Sequence, residues 1–340
     1  MNSIFLRTLN KEKTKRPPIW FMRQAGRILP SYMSLRKKYS FRQLMSDPVL
    51  ASKITRLPID DLDVDAAILF SDILVIPESL GMNVDFKNTG PEFKKLLDIN
   101  NLNLNFETKK LNYIYKNIKQ TKIDLKKNIP LIGFCGGPLT VFLFMLKRGR
   151  TQKDLHDVAK LIYSNKEESI HILNKITEAS ISYVESQINS GIDCFQLFET
   201  YCGIVPEKLY TKLILPLSEK ILYAAKKKGC KTIFFPKNYN IGYKKINHEF
   251  CDFVSVDWQM DLVDARKLID KKIGIQGNID PRIFYSTKKD ISSHLESLSE
   301  FGKNNNDWIF NLGHGFMPGI NLDNVKYTIE WIKKHNWKRI

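Results

Sequence analysis

The stretch IWFMRQAGRILPSY, residues Ile19 to Tyr32, opens with the first of eight short apolar runs along the chain. Pro17 and Pro18 precede this run and keep the backbone extended, so Ile19–Met22 is predicted to be a buried strand. Glycine or polar residues follow each run, and most intervening segments are long enough to hold a crossover helix. The eight predicted strands are Ile19–Met22, Ala66–Phe70, Leu131–Gly136, Cys194–Phe198, Thr232–Phe235, Phe253–Asp257, Ile273–Gln276 and Ile309–Leu312. This alternation predicts a single (β/α)8 barrel of the TIM type.

Three later segments show the three- and four-residue apolar spacing of amphipathic helices, namely Leu155–Tyr163, Ser169–Asn189 and Pro206–Lys228. The segment from Phe86 to Asn128, between the second and third strands, is rich in asparagine and lysine and is the least regular part of the chain. We predict that it is an insertion on the barrel and not a second domain. With 43% hydrophobic residues the chain can bury a full core, so residues 1–340 are expected to form one domain.

The chain is strongly basic, with 53 lysines and arginines and a formal net charge of +17. The basic residues are scattered, however, and no block of five or more like charges occurs. Aromatic residues do not alternate with basic ones in any short segment, which argues against nucleic-acid binding. A positively charged active-site mouth would instead attract an anionic small molecule.

The five cysteines form an odd set without CxxC spacing, which predicts neither a disulfide framework nor a zinc ribbon. No apolar signal core precedes the first strand, and the longest hydrophobic runs are shorter than a bilayer span. We therefore expect a soluble, cytoplasmic protein that has no membrane partner. Histidines and cysteines lack metal-site spacing and GFCGGP lacks the spacing of nucleotide-binding loops, so neither a metal nor a nicotinamide or nucleotide cofactor is expected.

In (β/α)8 barrels the active site lies at the carboxyl ends of the strands, so the residues after each apolar run are the candidates. Arg23 and Arg27 follow the first run and enclose Gln24, Ala25 and Gly26, which are small or polar enough for the backbone to approach a ligand. Guanidinium groups are always charged and present a planar set of donors. The pair predicts a clamp for a ligand with several carboxylates or phosphates. Surface ion pairs for both arginines are the alternative interpretation.

Further candidates follow the other strands. Asp72 comes after the second strand, where a carboxylate is either catalytic or an interior ion-pair partner. His314 lies between two glycines, which let the backbone turn sharply and bring the imidazole close to a ligand. Thr200 follows the fourth strand and hydrogen-bonds either a ligand or the backbone at the strand end. Lys237 after the fifth strand is either a site residue or a solvated loop lysine, and Trp258 is more typical of a core.

Several stretches of the chain, taken together, resemble uroporphyrinogen decarboxylases over nearly the whole length. They are PPIWFMRQAGRILPSY, DAAILFSDILVIPESLGM, LIGFCGGPLT, QLFETYCG, VSVDWQ, IGIQGNIDP and FNLGHGFMP. These stretches occur in the family's order and fall on every predicted strand end except the fifth. The resemblance implies a (β/α)8 enzyme, usually a homodimer without metal or organic cofactor. Its expected reaction is the removal of carbon dioxide from the four acetate side chains of uroporphyrinogen III, giving coproporphyrinogen III in haem biosynthesis.

The resemblance also implies roles for single residues. The substrate-binding run of the family, whose guanidinium groups hold acetate and propionate carboxylates, falls on Arg23, Gln24, Ala25, Gly26 and Arg27. Asp72 matches the aspartate that accepts hydrogen bonds from the pyrrole NH groups and stabilises the cationic intermediate. Thr200 and His314 match positions suited to hydrogen-bonding the peripheral carboxylates. The proton donor to the pyrrole carbon stays open between Arg23 itself and an arginine-bound water.

One position departs from the family. Phe144 stands where the family commonly has a tyrosine in its TxxxYM stretch. A missing hydroxyl is worth about 0.5–1.5 kcal/mol, and either activity falls or Tyr201 or a water compensates. Two other functions remain as alternatives. One is a zinc-dependent methyltransferase of the same barrel superfamily, which needs a His/Cys ligand set that the sequence does not show. The other is a non-catalytic tetrapyrrole-binding relative, for which Phe144 is the hint in the sequence.

Overall fold

The barrel is built on a seven-stranded sheet in which every pair of neighbouring strands is parallel. The computed structural model describes residues 3–87, 90–93, 104, 106–146 and 159–339. In chain order the strands are β1 (Ala67–Ile68), β2 (Val84–Lys87), β3 (Gly90–Phe93), β4 (Leu131–Gly136), β5 (Cys194–Glu199), β6 (Lys231–Pro236), β7 (Phe253–Ser255), β8 (Gly274–Ile279) and β9 (Trp308–Leu312). The sheet runs β1-β4-β5-β6-β7-β8-β9, and the remaining pair, β2 and β3, is a separate antiparallel hairpin.

The segment around Ile19 takes the eighth position of the barrel. Ile19 forms a parallel bridge with Phe310 of β9, whose backbone N–H donates to Pro18 O over 2.9 Å. On the other side, Asp65 N donates to Ile19 O over 2.7 Å, directly before β1. The segment therefore closes the sheet between β9 and β1, as the (β/α)8 prediction requires. The predicted strand Ile19–Met22 is nevertheless wrong in extent, because the chain turns after Phe21.

The other seven strand predictions are confirmed, with ends that shift by a few residues. Two of them differ more than the rest: β1 has only two residues and β8 runs three residues further than the predicted Ile273–Gln276, to Ile279. Backbone pairing continues beyond β1, since Leu69 N donates to Ile132 O over 2.9 Å. Apolar runs locate these strands well because both of their faces are covered.

Helices surround the sheet. They are α1 (Ile4–Leu9), α2 (Pro30–Arg36), α3 (Phe41–Ser46), α4 (Pro48–Leu62), α5 (Val75–Ser79), α6 (Asn112–Asp124), α7 (Pro138–Leu146), α8 (residues 159–164), α9 (Lys166–Ser190), α10 (Glu207–Leu213), α11 (Leu215–Lys227), α12 (Leu262–Leu268), α13 (Lys288–Ser297), α14 (Ser299–Asn304) and α15 (Leu322–Lys334). Short 3-10 helices span Thr108–Leu111, Cys202–Ile204, Asn240–Lys245 and Pro281–Tyr285. Within the described ranges, no helix is both long enough and apolar enough to cross a membrane.

The helix predictions are largely confirmed. Ser169–Asn189 lies inside α9, whereas Pro206–Lys228 is divided into α10 and α11 around Ile214. The division occurs because Pro216 has no backbone N–H and cannot continue the hydrogen-bond ladder of α10. The start of the predicted helix Leu155–Tyr163, residues 155–158, lies outside the described residues, and α8 contains its end.

The predicted insertion Phe86–Asn128 contains an ordinary part of the barrel. Its last portion, α6, is the crossover helix between β1 and β4, with Ile114 and Ile118 fully buried. Asn117 of α6 donates to the Met45 carbonyl over 2.7 Å and fixes the helix beside α3. The added element on the barrel is the hairpin β2–β3, while residues 88–89, 94–103 and 105 lie outside the described residues.

Candidate active site

The arginine turn, defined here as Phe21–Arg27, leaves the barrel at its mouth. Gln24 is fully buried and holds the turn from below: its Oε1 accepts from Phe21 N over 2.9 Å, and its Nε2 donates to Ala66 O over 2.9 Å. Arg23 has a φ of +63°, a left-handed conformation that costs a non-glycine residue about 1–3 kcal/mol. The side chains of Arg23 and Arg27 are exposed, so the strained turn presents both predicted cations to solvent.

Gln24, Ala25 and Gly26 take unequal places in this turn. The Gln24 side chain is enclosed and bonded to backbone at both ends, so it supports the turn, while Ala25 and Gly26 are partly exposed. A Cβ on Gly26 would lie 3.0 Å from Arg23 O, tighter than ordinary packing. The small residue therefore lets the turn close on itself.

The turn after β9 meets the arginine turn. A Cβ on Gly315 would lie 2.3 Å from Arg23 Cδ, so only glycine leaves room for the arginine stem. The neighbouring His314 accepts at Nδ1 from Gly315 N over 2.6 Å. Burial, together with the nearby charges of Arg23 and Lys237, lowers the pKa of His314 to about 3. At neutral pH the imidazole is therefore uncharged and carries its proton on Nε2, which makes it a hydrogen-bond donor.

Asp72 lies in the turn after β1. Its Oδ1 accepts from Leu74 N over 2.9 Å, which fixes the turn before α5. The turn packs on the end of β4, since a Cβ on Gly136 would lie 3.0 Å from Ile73 Cβ. The half-buried carboxylate of Asp72 is thus held at the carboxyl end of its strand, where the sequence predicted it.

Glu199 is a functional candidate that sequence reasoning did not select. It is the last residue of β5, it is fully buried, and it accepts from Leu139 N over 3.1 Å, from Thr140 N over 2.7 Å and from the Thr140 hydroxyl. The same hydroxyl accepts from Tyr201 N over 3.2 Å. Glu199 thereby joins the start of α7 to the turn after β5. Burial outweighs these hydrogen bonds and raises the pKa of Glu199 to about 7.

The signal that points to Glu199 was present in the sequence, as a carboxylate at the end of an apolar run. That same pattern identified Asp72. The two differ in direction, because the Glu199 carboxylate faces the N-terminus of α7, a place where helices favour negative charge. A Cβ on Gly137 would lie 2.5 Å from Glu199 Oε2, so the glycine there makes room for the carboxylate.

Phe144, on α7, packs edge-on against Tyr201, with ring centroids 5.8 Å apart and planes 74° apart. Both rings are partly exposed. The aromatic pair therefore joins α7 to the turn after β5 next to the site, as a second link beside the Glu199–Thr140 bonds.

A cavity of about 330 Å³ opens between the turns after β5, β6 and β9. Thr200, Tyr201, Lys237, Asn238 and His314 are among the residues that line it. The structure thus brings together two predicted site residues, Thr200 and His314, from distant parts of the chain. Arg23 reaches the same place through its contact with Gly315, whereas Arg27, Asp72 and Phe144 do not line this cavity.

Trp258 forms a platform beside the cavity, not the core residue that was expected. It is partly exposed, with Lys237 Nζ 5.3 Å and Arg282 Cζ 5.7 Å from its ring centroid. The His314 ring lies 6.0 Å from the same indole. Cations that stack on an aromatic face are stabilised by the ring's quadrupole, so Trp258 concentrates positive charge at the mouth.

The five cysteines are free and buried, and burial raises the pKa of each thiol. Among the described residues, no three histidine, cysteine, aspartate or glutamate side chains are grouped so that they could hold a metal ion.

A closed (β/α)8 sheet with arginines, a lysine and a neutral histidine at its carboxyl end defines a barrel enzyme that acts on an anionic small molecule. Residues 1–335 match the family model described as uroporphyrinogen decarboxylase (URO-D). The chain belongs to the uroporphyrinogen decarboxylase family, whose members are carboxy-lyases of tetrapyrrole biosynthesis.

Relatives match over almost their full length. The uroporphyrinogen decarboxylase of Wigglesworthia glossinidia brevipalpis is 39% identical, with 98% of this chain and 95% of the relative covered. That of Chlorobium phaeobacteroides is 35% identical, with 99% of both chains covered. The resemblance recognised in the motifs is therefore confirmed.

Solved structures show the same fold at low sequence identity. A methyltransferase from Methanosarcina mazei superposes with a TM-score of 0.80 at 16% identity, covering 97% of both chains. A putative vitamin B12-independent methionine synthase from Listeria monocytogenes gives 0.55 at 11% identity, covering 94% of this chain and 96% of that one. These likenesses concern the architecture alone, and they support the barrel prediction.

Proposed function

We propose that this chain removes the four acetate carboxyl groups of uroporphyrinogen III as carbon dioxide and releases coproporphyrinogen III. In this proposal residues 1–340 act as one catalytic domain, without metal or organic cofactor, and the enzyme is a cytoplasmic homodimer. The observation that carries the proposal is the contact between the arginine turn and the turn after β9, which contains His314. Residues from opposite ends of the chain there form one mouth suited to an anion.

The chemistry needs an electron sink but not an added cofactor. Protonation of the ring carbon next to the one that bears the acetate makes the pyrrole cationic. The bond between the acetate methylene and its carboxylate then breaks, carbon dioxide leaves, and the electron pair neutralises the ring. Protonation of the resulting exocyclic methylene gives the methyl group, and the ring carbon loses its proton. Each cycle therefore consumes one proton, and a site that stabilises the pyrrole cation lowers the barrier.

Asp72 would accept hydrogen bonds from the pyrrole NH groups and stabilise this cation, because its turn holds a carboxylate at the strand end. Arg23 and Arg27 would hold peripheral carboxylates, with Ala25 and Gly26 allowing the backbone to approach. Gln24 contributes by holding the turn.

Thr200 and His314 would donate hydrogen bonds to further carboxylates. His314 suits this role because an imidazole with its pKa lowered to about 3 stays neutral and keeps its donor at neutral pH. Phe144 would pack against the macrocycle beside Tyr201, without the family's hydroxyl. The proton reaches the ring carbon from Arg23 or from a water bound to it.

The test is anaerobic incubation of chelator-treated protein with uroporphyrinogen III, followed by chromatography of the oxidised porphyrins. We expect coproporphyrin together with seven-, six- and five-carboxyl intermediates. Unchanged uroporphyrin from a folded sample would overturn the proposal. Tight porphyrin binding without turnover would then identify a non-catalytic tetrapyrrole binder, and stoichiometric zinc in the untreated protein would favour a thiol methyltransferase.

A further inference from the structure

Lys237 is a charged residue that lines the cavity, and the proposed function gives it no role. It follows β6 directly, and its backbone N–H donates to Glu199 O over 3.1 Å, which fixes the start of its turn. Its ammonium lies 5.3 Å from the centroid of the Trp258 ring. Among the side chains that line the cavity, Lys237 alone carries a charge at neutral pH, because His314 is neutral there.

The carboxylates near Lys237 are already occupied by other donors. Asp257 is buried and accepts from Asn238 N over 2.6 Å and from Gln259 N over 2.9 Å. The Glu199 carboxylate faces the start of α7, and Asp280 pairs with Arg282. Within the described part of the chain, no carboxylate forms an ion pair with Lys237. Among the described residues, the positive charge of Lys237 in the cavity therefore has no carboxylate partner.

Three kinds of donor meet around this space. Lys237 supplies a charge, the neutral His314 supplies an uncharged N–H, and Thr200 supplies a hydroxyl. Charge-assisted bonds to a carboxylate are stronger than neutral ones, and a partly buried cation without a partner favours an anion as its ligand. Stacking on Trp258 orders the lysine stem before the ligand arrives, which reduces the entropy lost on binding.

We propose that Lys237 binds one peripheral carboxylate of the tetrapyrrole in a subsite with His314 and Thr200, beside the Arg23 side chain. This inference rests on the proposed function for the identity of the substrate, and it adds a specificity residue to that site. The subsite adds a charged contact to the macrocycle on the side of the mouth where Arg23 approaches His314. Lys237 acts on binding and not on the bond that breaks.

The experiment compares Lys237→Met, which keeps the stem over Trp258 but removes the charge, with Lys237→Arg, which keeps the charge. Lys288→Met is the matched control, because Lys288 also stacks on an aromatic ring, 5.6 Å from the Tyr327 centroid, but does not line the cavity. We expect Lys237→Met to raise KM for uroporphyrinogen about tenfold or more, with kcat within about twofold. Lys237→Arg should recover most of this loss, and Lys288→Met should match the unchanged protein.

Fluorescence titration with oxidised uroporphyrin III gives a second readout that needs no turnover. The Kd of Lys237→Met should rise by a similar factor, and thermal unfolding should confirm that each variant is folded. If the unchanged protein binds porphyrin but does not decarboxylate uroporphyrinogen, the proposed function fails. The Kd values then still test whether Lys237 binds a porphyrin carboxylate. Equal KM and Kd for Lys237→Met and Lys288→Met would overturn this inference, as would a protein that binds no porphyrin at all.

Discussion

Two turns at the barrel mouth, the arginine turn and the turn after β5, are each held from below by one fully buried side chain. In the arginine turn this side chain is the neutral amide of Gln24. In the other turn it is the carboxylate of Glu199, bonded to Leu139 and Thr140. An amide holds its turn in the same way at every pH, whereas a carboxylate whose pKa is raised to about 7 changes charge near neutrality. The two sides of the mouth therefore differ in their response to pH.

Replacing the buried amide of the arginine turn by a carboxylate should have the largest effect on the free energy of unfolding. Gln24→Glu removes the donor to Ala66 O and places a further buried carboxylate at the mouth. We expect the free energy of unfolding at pH 8 to fall by about 3 kcal/mol or more, as measured by urea denaturation. Gln259→Glu, at an exposed glutamine, is the control and should change stability by less than about 0.5 kcal/mol. Equal stability of the two variants would contradict the anchoring role of Gln24.

Replacing Glu199, the titrating group of the turn after β5, should reduce the pH dependence of the free energy of unfolding. The folded pKa of Glu199, about 7, lies above its ordinary value of 4.5, so the native state binds more protons between these values. Its contribution is present below about pH 4.5 and is lost as pH rises through 7, by at most about 3 kcal/mol. The difference in unfolding free energy between pH 5 and pH 8 should therefore shrink in Glu199→Gln. An unchanged difference would mean that Glu199 does not titrate in this range.

Replacing the Arg23 guanidinium by another cation, with Gln24 unchanged, tests the role of this side chain. Arg23→Lys keeps the positive charge but loses the planar donor fork and the contact of its stem with Gly315. We expect kcat/KM for uroporphyrinogen to fall about 10- to 100-fold with little loss of stability. Arg56→Lys, at an exposed arginine paired with Asp60, is the matched control. Near-normal turnover of Arg23→Lys would count against Arg23 as the proton donor or clamp.

The smallest effect is expected beside the turn after β5, at the contact of Phe144 on α7 with Tyr201. Phe144→Tyr restores the family's hydroxyl next to the turn that Glu199 holds. A gained hydrogen bond of about 0.5–1.5 kcal/mol corresponds to roughly a two- to tenfold rise in kcat, measured with uroporphyrinogen under anaerobic conditions. If the rate does not rise, the hydroxyl is dispensable in this chain, and Tyr201 or water takes its place.

The candidate residues that the sequence identified each follow the end of an apolar run. The places of Arg23, Asp72, Thr200 and His314 at strand ends could be predicted because parallel strands bring their carboxyl ends to one edge, whatever separates them in the chain. The crossover helix α6 was missed because its buried positions, such as Ile114 and Ile118, are few among lysines and asparagines. A weak apolar face is sufficient there, since α6 packs against α4 and α9.

Side-chain direction could not be predicted in the same way. Gln24 and Glu199 both stand next to predicted site residues, and only the packed structure shows that they turn inwards to hold backbone groups. Lys237 likewise has no ion pair with Asp257 or Asp280 because these carboxylates accept hydrogen bonds from other groups. Each is a matter of competing hydrogen bonds at distances of about 3 Å, which the order of residues does not encode locally.

The amino-acid sequence was sufficient for the barrel class, the family and the strand ends that carry the site, because apolar runs, glycines and motif order are local properties of the chain. The three-dimensional arrangement was needed to assign Gln24 and Glu199 as anchors and to seat Arg23 against Gly315. It was also needed to find that Lys237 faces the cavity with no carboxylate partner among the described residues. Those outcomes depend on which distant groups come within bonding distance when the barrel closes.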